Sequence, residues 1–494
     1  MSQPERTVVH PGKPHGRNDE MRFTYRSGQR TWESRGCEEA GSRTHGARTG
    51  TRTSGPAGGW CRLLGGLVLC LLATAPRASA RPGDLDRSFR GTGIARTRIK
   101  RISSADCLVQ QADGKLVAAG ASEGYPTFTE TLVRYRANGR LDRSFGRGGK
   151  IITSITSGGE SEVLALVQQT DGRLVTAGYR IVLPSPEVFA ITRYRADGRL
   201  DRSFGGGTGT VTTAFGPGAA AKALVQQSDG KLVAAGSGDS RFALARYDAD
   251  GTLDPSFGEG TGRVIGLSGG ANALVQQSDG KLVAAGVSSG GGGRFTLVRY
   301  NADGSPDPSF GEGTGTVVTQ FIPGLATSDS NTGQASALVQ QADGKLVAAG
   351  TSTSGLGPAV FQYRIALVRY NADGTLDPTF GAGTGIVITL IGGCTSASAL
   401  VLQPDGKIVV AGASGPCTVV SEPGTRSPDF FTLVRYNVDG TLDQSFGRLG
   451  SGAVTVPSGG GASDLVQQAN GKLVAAGFQR LHQYDVFTVV RYLD

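Results

Sequence analysis

Histidine and cysteine are the side chains with which this sequence could most readily do metal or nucleophilic chemistry, and both are scarce. Of the four histidines, three precede residue 80 and only His482 follows it. In the chain after residue 80, a multi-histidine metal centre is therefore excluded. Ser-His-Asp or Cys-His catalysis would have to rest on His482 alone. His482 stands in the last variable segment of the chain, where we expect a surface residue.

Carboxylates recur at fixed places, and one group of them resembles a calcium loop. The segment Asp248–Asp254 reads Asp-Ala-Asp-Gly-Thr-Leu-Asp. An EF-hand needs Gly at its sixth position and a bidentate Glu at its twelfth, whereas here Gly is fourth and no such Glu follows. A β-turn followed by an Asx-type turn explains the same residues. We therefore predict no metal site and no cofactor.

Three cysteines follow residue 80. Cys394 lies eleven residues before Asp405, and Cys417 lies eleven residues after Gly406. A two-residue turn at Asp405-Gly406 would make the two cysteines near neighbours, so we predict a disulfide across this hairpin, within the narrow geometry that disulfides require. Cys107 aligns with a small Ala of the other repeats, which predicts a buried free thiol rather than a nucleophile.

Three short motifs occur seven times each and define a repeat of about 59 residues. The first is an apolar strand, an Asp-Gly or Asn-Gly turn and a second apolar strand, with the turn at Asp113, Asp171, Asp229, Asp279, Asp343, Asp405 and Asn470. The second is an Arg-Tyr pair, with its Arg at Arg134, Arg193, Arg246, Arg299, Arg369, Arg435 and Arg491. The third resembles Leu-Asp-x-Ser-Phe, with its Asp at Asp86, Asp142, Asp201, Asp254, Asp307, Asp377 and Asp443. Such regular spacing is typical of repeat architectures.

Each repeat contains four predicted strands. Asp-Gly between β-prone residues favours a two-residue hairpin turn with positive φ at both turn residues. Phe295–Tyr300 alternates with period two and forms a third strand, and a fourth follows the third motif, as in Gly315–Thr319. Four antiparallel strands in seven repeats predict an all-β, seven-bladed β-propeller. Six or eight blades, or an open solenoid, are the alternatives.

The phase of the repeats predicts how the propeller closes. The earliest motif in the chain is the copy of the third motif at Asp86, which belongs before a fourth strand. The chain ends just after a third strand, at Asp494. We therefore expect the segment Ile94–Ile99 to supply the outer strand of the last blade and leave no open edge. The Arg of the second motif shares a strand face with apolar residues. We predict that it lies between blades and contacts a carboxylate or backbone carbonyls.

These three motifs resemble the bacterial delta-60 repeat family, a β-propeller group of unknown function found in exported proteins. The resemblance covers essentially all of residues 83–494. The motifs are also distantly similar to those of NHL-type propellers. It implies the propeller fold and export, and it implies no activity, cofactor or site residue.

The first 80 residues differ from the repeats. Residues 1–60 form a leader rich in Arg, Ser and Gly that we expect to be disordered, and a translation start assigned too early would explain its length. Residues 61–80 are predicted to be a signal peptide. Their apolar segment, Leu63–Ala75, is too short to cross a bilayer, and Ala78-Ser79-Ala80 predicts cleavage before Arg81. We expect residues 81–494 to form the propeller, to be secreted or on the exterior of the cell envelope, and to have no transmembrane segment.

Composition and charge exclude several classes of protein. Gly supplies 78 of the 494 residues, far above the usual share of about 7%, which favours short strands joined by Gly turns. The net charge is +9, but +6 of it belongs to residues 1–80. The remaining +3 is too small for a nucleic-acid footprint, so we predict no nucleic-acid partner.

Two sets of residues are candidates for ligand contact. The first lies two positions before the repeated Leu of the inner strand, where the side chains differ while their neighbours hardly change: Asp106, Leu164, Lys222, Asn272, Ser336, Ser398 and Ser463. From this set we select Asp106, Lys222 and Asn272. The second set consists of the four tyrosines outside the Arg-Tyr pairs, which fall in predicted variable loops: Tyr125, Tyr179, Tyr363 and Tyr484. Drift at exposed sites is the alternative explanation of the first set.

We expect a secreted binding or structural module without catalysis. The partner would be a protein, a small molecule or a glycan on the loop-rich face, because variable loops on a rigid scaffold usually carry binding. We expect a monomer. The alternative is a lyase or hydrolase that uses carboxylate or Lys chemistry in a central pocket, and it requires a group of perturbed pKa there.

Overall fold

The computed structural model describes residues 80–124, 127–153, 159–181, 186–289, 293–321, 332–357, 360–417, 430–457 and 459–494. The chain divides into two units, Met1–Ala75 and Pro76–Asp494, and all the described residues belong to the second. The predictions for the leader and for most of the signal peptide therefore lie outside the described residues.

Within the described residues, the protein forms five four-stranded antiparallel sheets and one seven-stranded antiparallel sheet. The strands are β1 (Ile94–Thr97), β2 (Ser103–Gln110), β3 (Leu116–Gly124), β4 (Thr127–Tyr135), β5 (Lys150–Thr153), β6 (Glu160–Gln168), β7 (Leu174–Ile181), β8 (Val188–Tyr194), β9 (Thr210–Thr213), β10 (Ala220–Gln226), β11 (Leu232–Gly238), β12 (Arg241–Tyr247), β13 (Arg263–Gln276), β14 (Leu282–Ser288), β15 (Arg294–Tyr300), β16 (Thr316–Thr319), β17 (Thr332–Gln340), β18 (Leu346–Gly357), β19 (Val360–Tyr370), β20 (Ile386–Thr389), β21 (Cys394–Leu402), β22 (Ile408–Gly415), β23 (Phe430–Tyr436), β24 (Ala453–Pro457), β25 (Ala462–Gln467), β26 (Leu473–Leu481) and β27 (Tyr484–Tyr492). The sheets are β2–β5, β6–β9, β10–β16, β17–β20, β21–β24, and β25–β27 with β1. Two short helical turns lie at Gly258–Gly262 and Arg448–Gly450.

The seven-stranded sheet consists of two repeats joined through one long strand. The first part of β13 pairs with β12 and its second part, from Gly269 to Gln276, pairs with β14. The two parts of β13 thus act as the fourth strand of one repeat and the first strand of the next. Each repeat accordingly forms four antiparallel strands, as the sequence predicts.

The sheets are arranged as a propeller. The first strands of the repeats contact one another in the order β2, β6, β10, β13, β17, β21 and β25, and β25 contacts β2. β1 pairs with β27 over Ile94–Thr97, so the N-terminal strand completes the C-terminal sheet. This prediction is confirmed, and the pairing covers what would otherwise be an open sheet edge.

The Asp-Gly hairpins are not the predicted two-residue turns. In one of them, Gln341 N donates to Lys345 O at 2.8 Å and Gly344 N donates to Gln341 O at 3.0 Å, so three residues connect the strands. Gly344 has a φ of 85°, whereas Asp343 has a negative φ and accepts a hydrogen bond from Lys345 N at 3.1 Å. A type I turn followed by a left-handed Gly explains this geometry, because Asp-Gly suits it as well as it suits the tighter turn.

A β-bulge interrupts the first strand of every repeat at one equivalent position. In β17 the register shifts between Ala335 and Ala337, so Ser336 is the extra residue. A Gly always stands opposite the bulge. A Cβ on Gly350 would lie 1.9 Å from the carbonyl oxygen of Gln334. The close approach of two backbones therefore explains the Gly that follows each Val-Ala-Ala or equivalent strand segment.

Apolar side chains of facing sheets form the core between consecutive sheets. Between the last sheet and the first, Phe487 and Val489 pack with Leu108 and Val133, and all four are buried. Small side chains such as Ala118 lie in the same cluster and let the sheets approach closely. Burial of this kind drives folding in proportion to the apolar area removed from water.

The repeated Arg is buried between sheets, as predicted. Arg369 donates from Nε to Asp377 Oδ2 at 2.6 Å and from Nη2 to Thr379 Oγ1 at 2.8 Å. Its Nη1 donates to the carbonyl oxygen of Val438, in a turn of the next repeat, at 2.6 Å. The guanidinium also lies 4.6 Å from the centre of the Phe380 ring. We call this arrangement the inter-sheet Arg–Asp pair.

The inter-sheet pair recurs around the propeller. In five other repeats the acceptor is likewise a carbonyl oxygen in a turn of the next repeat. Arg134, Arg193, Arg246, Arg299 and Arg491 donate to Ala196, Ala249, Ala302, Ala372 and Ala137, respectively. Arg435 instead donates to the side chain of Asp494 at 2.7 Å. Arg491 also donates to Asp86 Oδ2 at 2.7 Å, which ties the end of the last sheet to the N-terminal segment.

Candidate functional site

The bulge residues form the candidate site. The seven positions chosen from the sequence for their mixed side chains are the extra residues of the bulges, and all are half-buried: Asp106, Leu164, Lys222, Asn272, Ser336, Ser398 and Ser463. A bulge turns a side chain away from the regular alternation of a strand and is often found next to functional sites. We call these residues the bulge ring.

Asp106 is held in an acidic environment. Burial first, and then the neighbouring carboxylate of Glu162, raise the pKa of Asp106 to about 8. Ser104 Oγ donates to Asp106 Oδ2 at 2.9 Å, which favours the charged form but does not offset these two causes. Burial also raises the pKa of Glu162, although Tyr179 Oη donates to it at 3.1 Å. Burial and the neighbouring carboxylate thus both favour the protonated form of Asp106, which can donate a hydrogen bond.

Asp464 is a functional candidate that sequence reasoning missed. It stands next to the bulge in β25, where the other repeats have Ala or, in Cys107, a thiol. Its Oδ2 accepts a hydrogen bond from Leu108 N of the first sheet at 2.6 Å, and its Oδ1 accepts one from Leu465 N at 2.8 Å. Burial raises its pKa to about 7 despite these two bonds. The departure from the repeat pattern was the available signal.

Cys107 lies beside these carboxyl groups. It is a buried free cysteine, as predicted, and Sγ donates to Ala119 O at 3.5 Å. Burial raises the pKa of the thiol, and the charges of Asp464 and Asp106 raise it further. Because the thiolate is the nucleophile, the raised pKa disfavours reaction at Cys107.

Lys222 and Asn272 connect three consecutive repeats. Lys222 Nζ donates to Asn272 Oδ1 at 3.2 Å, and Asn272 Nδ2 donates to Ala335 O at 2.8 Å. Burial lowers the pKa of Lys222. The bulge ring thus has an acidic part around Asp106 and a polar part around Lys222, which could bind a ligand that carries both donor and acceptor groups.

The tyrosines do not gather at one site, and three of them are not in loops. Tyr179 lies in β7, Tyr363 in β19 and Tyr484 at the start of β27, because these hairpins extend further than the repeat pattern suggested. Tyr179 joins the acidic part of the bulge ring through Glu162. Tyr484 instead stacks on Arg98, and Tyr125 lies outside the described residues.

The predicted disulfide between Cys394 and Cys417 is present, with a Cα–Cα distance of 5.0 Å. The register differs from the expected one, because the three-residue turn and the bulge place Cys394 opposite Gly415. Tyr363 is 47% exposed and lines a small cavity of about 150 Å³ beside this disulfide. This cavity is separate from the carboxyl groups around Asp106.

The carboxylates of the calcium-like segment are engaged within the protein. Asp250 Oδ1 accepts hydrogen bonds from the backbone and hydroxyl of Thr252, and Asp254 Oδ2 lies 2.6 Å from Arg246 Nε. Lys231 Nζ lies 2.8 Å from the carboxylates of both Asp248 and Asp254. The segment therefore forms turns and ion pairs, as the alternative explanation held. His482 is exposed, with a φ of 57°.

Seven segments of the chain match one family model, described as "Domain of unknown function (DUF5122) beta-propeller". The matched residues are 111–145, 169–204, 227–257, 277–310, 341–380, 403–420 and 425–446. Repeats that match this β-propeller family are therefore present across residues 111–446. The matches cover the Asp-Gly turn, the Arg-Tyr pair and the Asp of the third motif, so the family is recognised by the residues that build the scaffold.

Solved structures with propeller-like folds resemble the protein at low identity. A protein of unknown function from Dyadobacter fermentans is 10% identical, with 67% of this chain and 94% of that chain covered and a TM-score of 0.38. The polysaccharide lyase Uly1 is 11% identical, with 79% of this chain and 90% of that chain covered and a TM-score of 0.43. Sqt1 from Chaetomium thermophilum is 11% identical, with 80% of this chain and 98% of that chain covered and a TM-score of 0.40. A comparison with curated protein sequences found no match.

No helix among the described residues has the length and apolar character needed to span a bilayer.

Proposed function

We propose that the protein is an exported, monomeric, seven-bladed β-propeller that acts as a binding module without catalysis. The blade number is supported by seven copies of each motif and by the contacts that run from β2 through β25 and back to β2. The partner is a protein, a small molecule or a glycan, bound on the side of the propeller where the bulge ring and the variable hairpins lie.

One observation carries this proposal. The bulge ring has the same backbone in every repeat, yet its side chains range from Asp106 through Leu164 to Lys222. The fold does not require these particular side chains, because Ser occupies the same position in three other repeats. Chemical variety on a rigid scaffold is what a recognition site needs.

Export is supported by the signal-peptide pattern, by the disulfide and by the first described residues. Disulfides persist in oxidising compartments. Pro82 O accepts a hydrogen bond from Gly447 N at 2.9 Å, so the chain joins the fold directly after the predicted cleavage site before Arg81. N-terminal sequencing of the exported protein tests this, and a start other than Arg81 or its immediate neighbours contradicts it.

The binding role is tested by a thermal-unfolding screen of the purified protein against sugars, peptides, metabolites and metal ions. A ligand at 100 times its dissociation constant adds about 2.7 kcal/mol to the free energy of unfolding, which gives a measurable shift. Asp106→Asn and Lys222→Met should abolish the shift. Ser398→Ala, at the same position of another repeat, is the matched control. A shift that survives both site variants places the ligand elsewhere.

A second candidate function is a lyase or hydrolase at the bulge ring. It is favoured by the raised pKa of Asp106, about 8, which keeps a proton available near neutral pH, and by the lowered pKa of Lys222. Such groups suit general acid and base catalysis. Any ligand found in the screen should therefore be incubated with the protein and analysed for products. Turnover that Asp106→Asn removes supports the enzyme, and stoichiometric binding without product supports the module.

A further inference from the structure

The charge on the turn side of the propeller differs sharply between repeats. This is the face on which the turns after the third strands and the Asp-x-Ser-Phe segments lie. Segment 134–150 carries six basic residues and one acidic residue, whereas the equivalent segment 246–262 carries one basic and four acidic residues. Both contain the same inter-sheet Arg and Asp. The difference in charge therefore lies outside the inter-sheet pair that both segments share.

The positive charge is concentrated in the first two repeats. We call the following eight side chains the basic sector: Arg136, Arg140, Arg143, Arg147, Lys150, Arg195, Arg199 and Arg202. All of them are exposed except Lys150, which is half-buried. The Arg199 side chain is 82% exposed. Seven of the eight are Arg, whose planar guanidinium can bind a carboxylate through two parallel hydrogen bonds.

Most of these arginines have no close carboxylate. Four of them form no ion pair with any residue that the structure describes: Arg140, Arg143, Arg147 and Arg202. Arg136, Arg195 and Arg199 approach an Asp only to between 3.8 and 3.9 Å. The two Asp residues near Arg136 and Arg195 are already bound by inter-sheet arginines. The guanidinium groups of the sector are thus available to an external anion.

An open cavity of about 760 Å³ lies within the basic sector. Arg147 and Lys150 line it from the first repeat, and Arg199 lines it from the second. Ile151 adds an apolar part of the wall. Its size falls in the range of about 300–1,000 Å³ that is usual for ligand sites. The sector is therefore a shaped surface as well as a charged one.

Equivalent positions in the other repeats carry neutral or acidic residues. Arg140 corresponds to Thr252 in the third repeat and to Ser305 in the fourth. Arg147 corresponds to Glu259 in the third repeat and, in the fourth, to Glu312. Hydroxyl and carboxylate side chains at these places are compatible with the same turn. The turn consequently does not require Arg140 or Arg147.

We propose that the basic sector is a docking surface for an acidic polysaccharide, whose uronate carboxylates pair with the free guanidinium groups. Such a chain presents a carboxylate and several hydroxyl groups at each acidic sugar. It can therefore engage several arginines of both repeats at once, with one segment seated in the cavity. Because the sector is exposed, salt screens the attraction and binding weakens steeply as salt is added.

The composition of the sector favours this partner over others. Single-stranded nucleic acid needs exposed aromatic rings on which bases stack, whereas the aromatic residues in the two segments that carry the sector are buried: Tyr135, Phe145, Tyr194 and Phe204. A tight protein interface needs a buried aromatic or apolar centre, whereas this surface is dominated by charge. The acidic third repeat offers a second copy of the chain a complementary surface, so self-association is a distinct outcome of the test.

The probe is polygalacturonate, with neutral dextran and duplex DNA as comparison polymers, and binding to the full chain is measured at 50, 150 and 300 mM salt. The site variant is Arg140→Ser with Arg199→Ser, which copies the fourth repeat. The control is Thr375→Glu with Thr441→Glu, at the same structural positions in two other repeats. Both double variants change the net charge by the same amount. Thermal unfolding checks that both fold.

We expect polygalacturonate to bind, dextran not to bind, and affinity to fall with salt. The site variant should weaken binding at least tenfold, and the control less than twofold. Equal weakening by both variants would indicate bulk charge and overturn the proposal. Equal or tighter binding of duplex DNA, or no binding of polygalacturonate at 50 mM salt, also overturns it. Sedimentation that shows self-association lost in the site variant would assign the sector to a second copy.

Discussion

The inter-sheet Arg–Asp pairs and the bulge ring are built on the same repeats, but they vary in opposite ways. At the inter-sheet pair, both the backbone and the side chains recur in every repeat. At the bulge ring, the backbone recurs but the side chain ranges from acidic to basic. The pair is a structural requirement of each contact between sheets. The ring is a set of positions where the fold accepts acidic, basic, amide, apolar and hydroxyl side chains, and where recognition can therefore be encoded.

The largest expected effect comes from breaking one inter-sheet pair. Arg369→Met leaves the 2% exposed side chain of Asp377 without its main partner and removes the hydrogen bond to Val438 O. Loss of one member of a buried ion pair costs about 3–5 kcal/mol. Chemical denaturation of the variant measures this loss. A loss below 1 kcal/mol would show that the pair contributes little and that the comparison with the bulge ring fails.

A smaller effect is expected opposite a bulge. In Gly412→Ala, the new Cβ would lie 1.9 Å from Ser396 O, so the strands must separate. Strain of this kind costs about 1–3 kcal/mol. Denaturation midpoints of this variant and of Ser398→Ala, which changes the bulge residue itself, should differ clearly. Equal stabilities would mean that the bulge does not need Gly on the facing strand.

The pH dependence of stability sharpens the comparison further. Because the pKa of Asp106 is raised in the folded protein, its contribution to stability is fully present below its unfolded pKa, near 4, and is lost as the pH rises toward 8. The free energy of unfolding of Asp106→Asn should therefore equal that of the parent protein near pH 4 and exceed it by more than about 1 kcal/mol at pH 9. Thermal unfolding across this range checks it, and parallel curves for the two proteins would contradict it.

The inter-sheet pairs predict the opposite acid response. Burial opposes ionisation of Asp86, but hydrogen bonds from Lys472 and Ser88 and the charge of Arg491 outweigh it and lower its pKa to about 2. Stability from such a group is present above pH 4 and is lost as the pH falls toward 2. The parent protein should thus unfold below about pH 3. The Asp106→Asn variant should lose stability over the same acidic pH range.

The smallest effect is expected for Ser398→Ala. Ser398 is a half-buried bulge residue, and its replacement by Ala removes only a hydroxyl group. Substitutions near the protein surface usually change the free energy of unfolding by less than about 0.5 kcal/mol. Its denaturation midpoint should equal that of the parent protein. A loss comparable to that of Arg369→Met would mean that the bulge ring is structural rather than variable.

Local pattern was sufficient to predict much of the scaffold. The four strands per repeat, the buried Arg and the disulfide were predicted and confirmed. The closing strand was predicted within Ile94–Ile99 and is observed at Ile94–Thr97. These features depend on strand period, turn residues and spacing, which are readable along the chain. The turn type was predicted wrongly because Asp-Gly is compatible with two hairpin geometries that differ by one residue.

The candidate site was only partly predictable. The mixed positions were found by aligning the repeats, yet the bulge that re-aims them, the hydrogen bond from Leu108 to Asp464 and the closeness of Glu162 to Asp106 join residues distant in the chain. The tyrosines were assigned to loops because strand extension beyond the repeat depends on pairing between segments that share no motif.

The sequence by itself determined the repeat, the strands and the residues that lock one sheet to the next, since each depends on short motifs that act over a few residues. Only the tertiary structure decided which carboxyl groups share one environment, which arginines of the basic sector form no ion pair with a described residue, and where a cavity opens between repeats. Those properties arise from burial, charge and distance between segments far apart in the chain, and no local pattern records them.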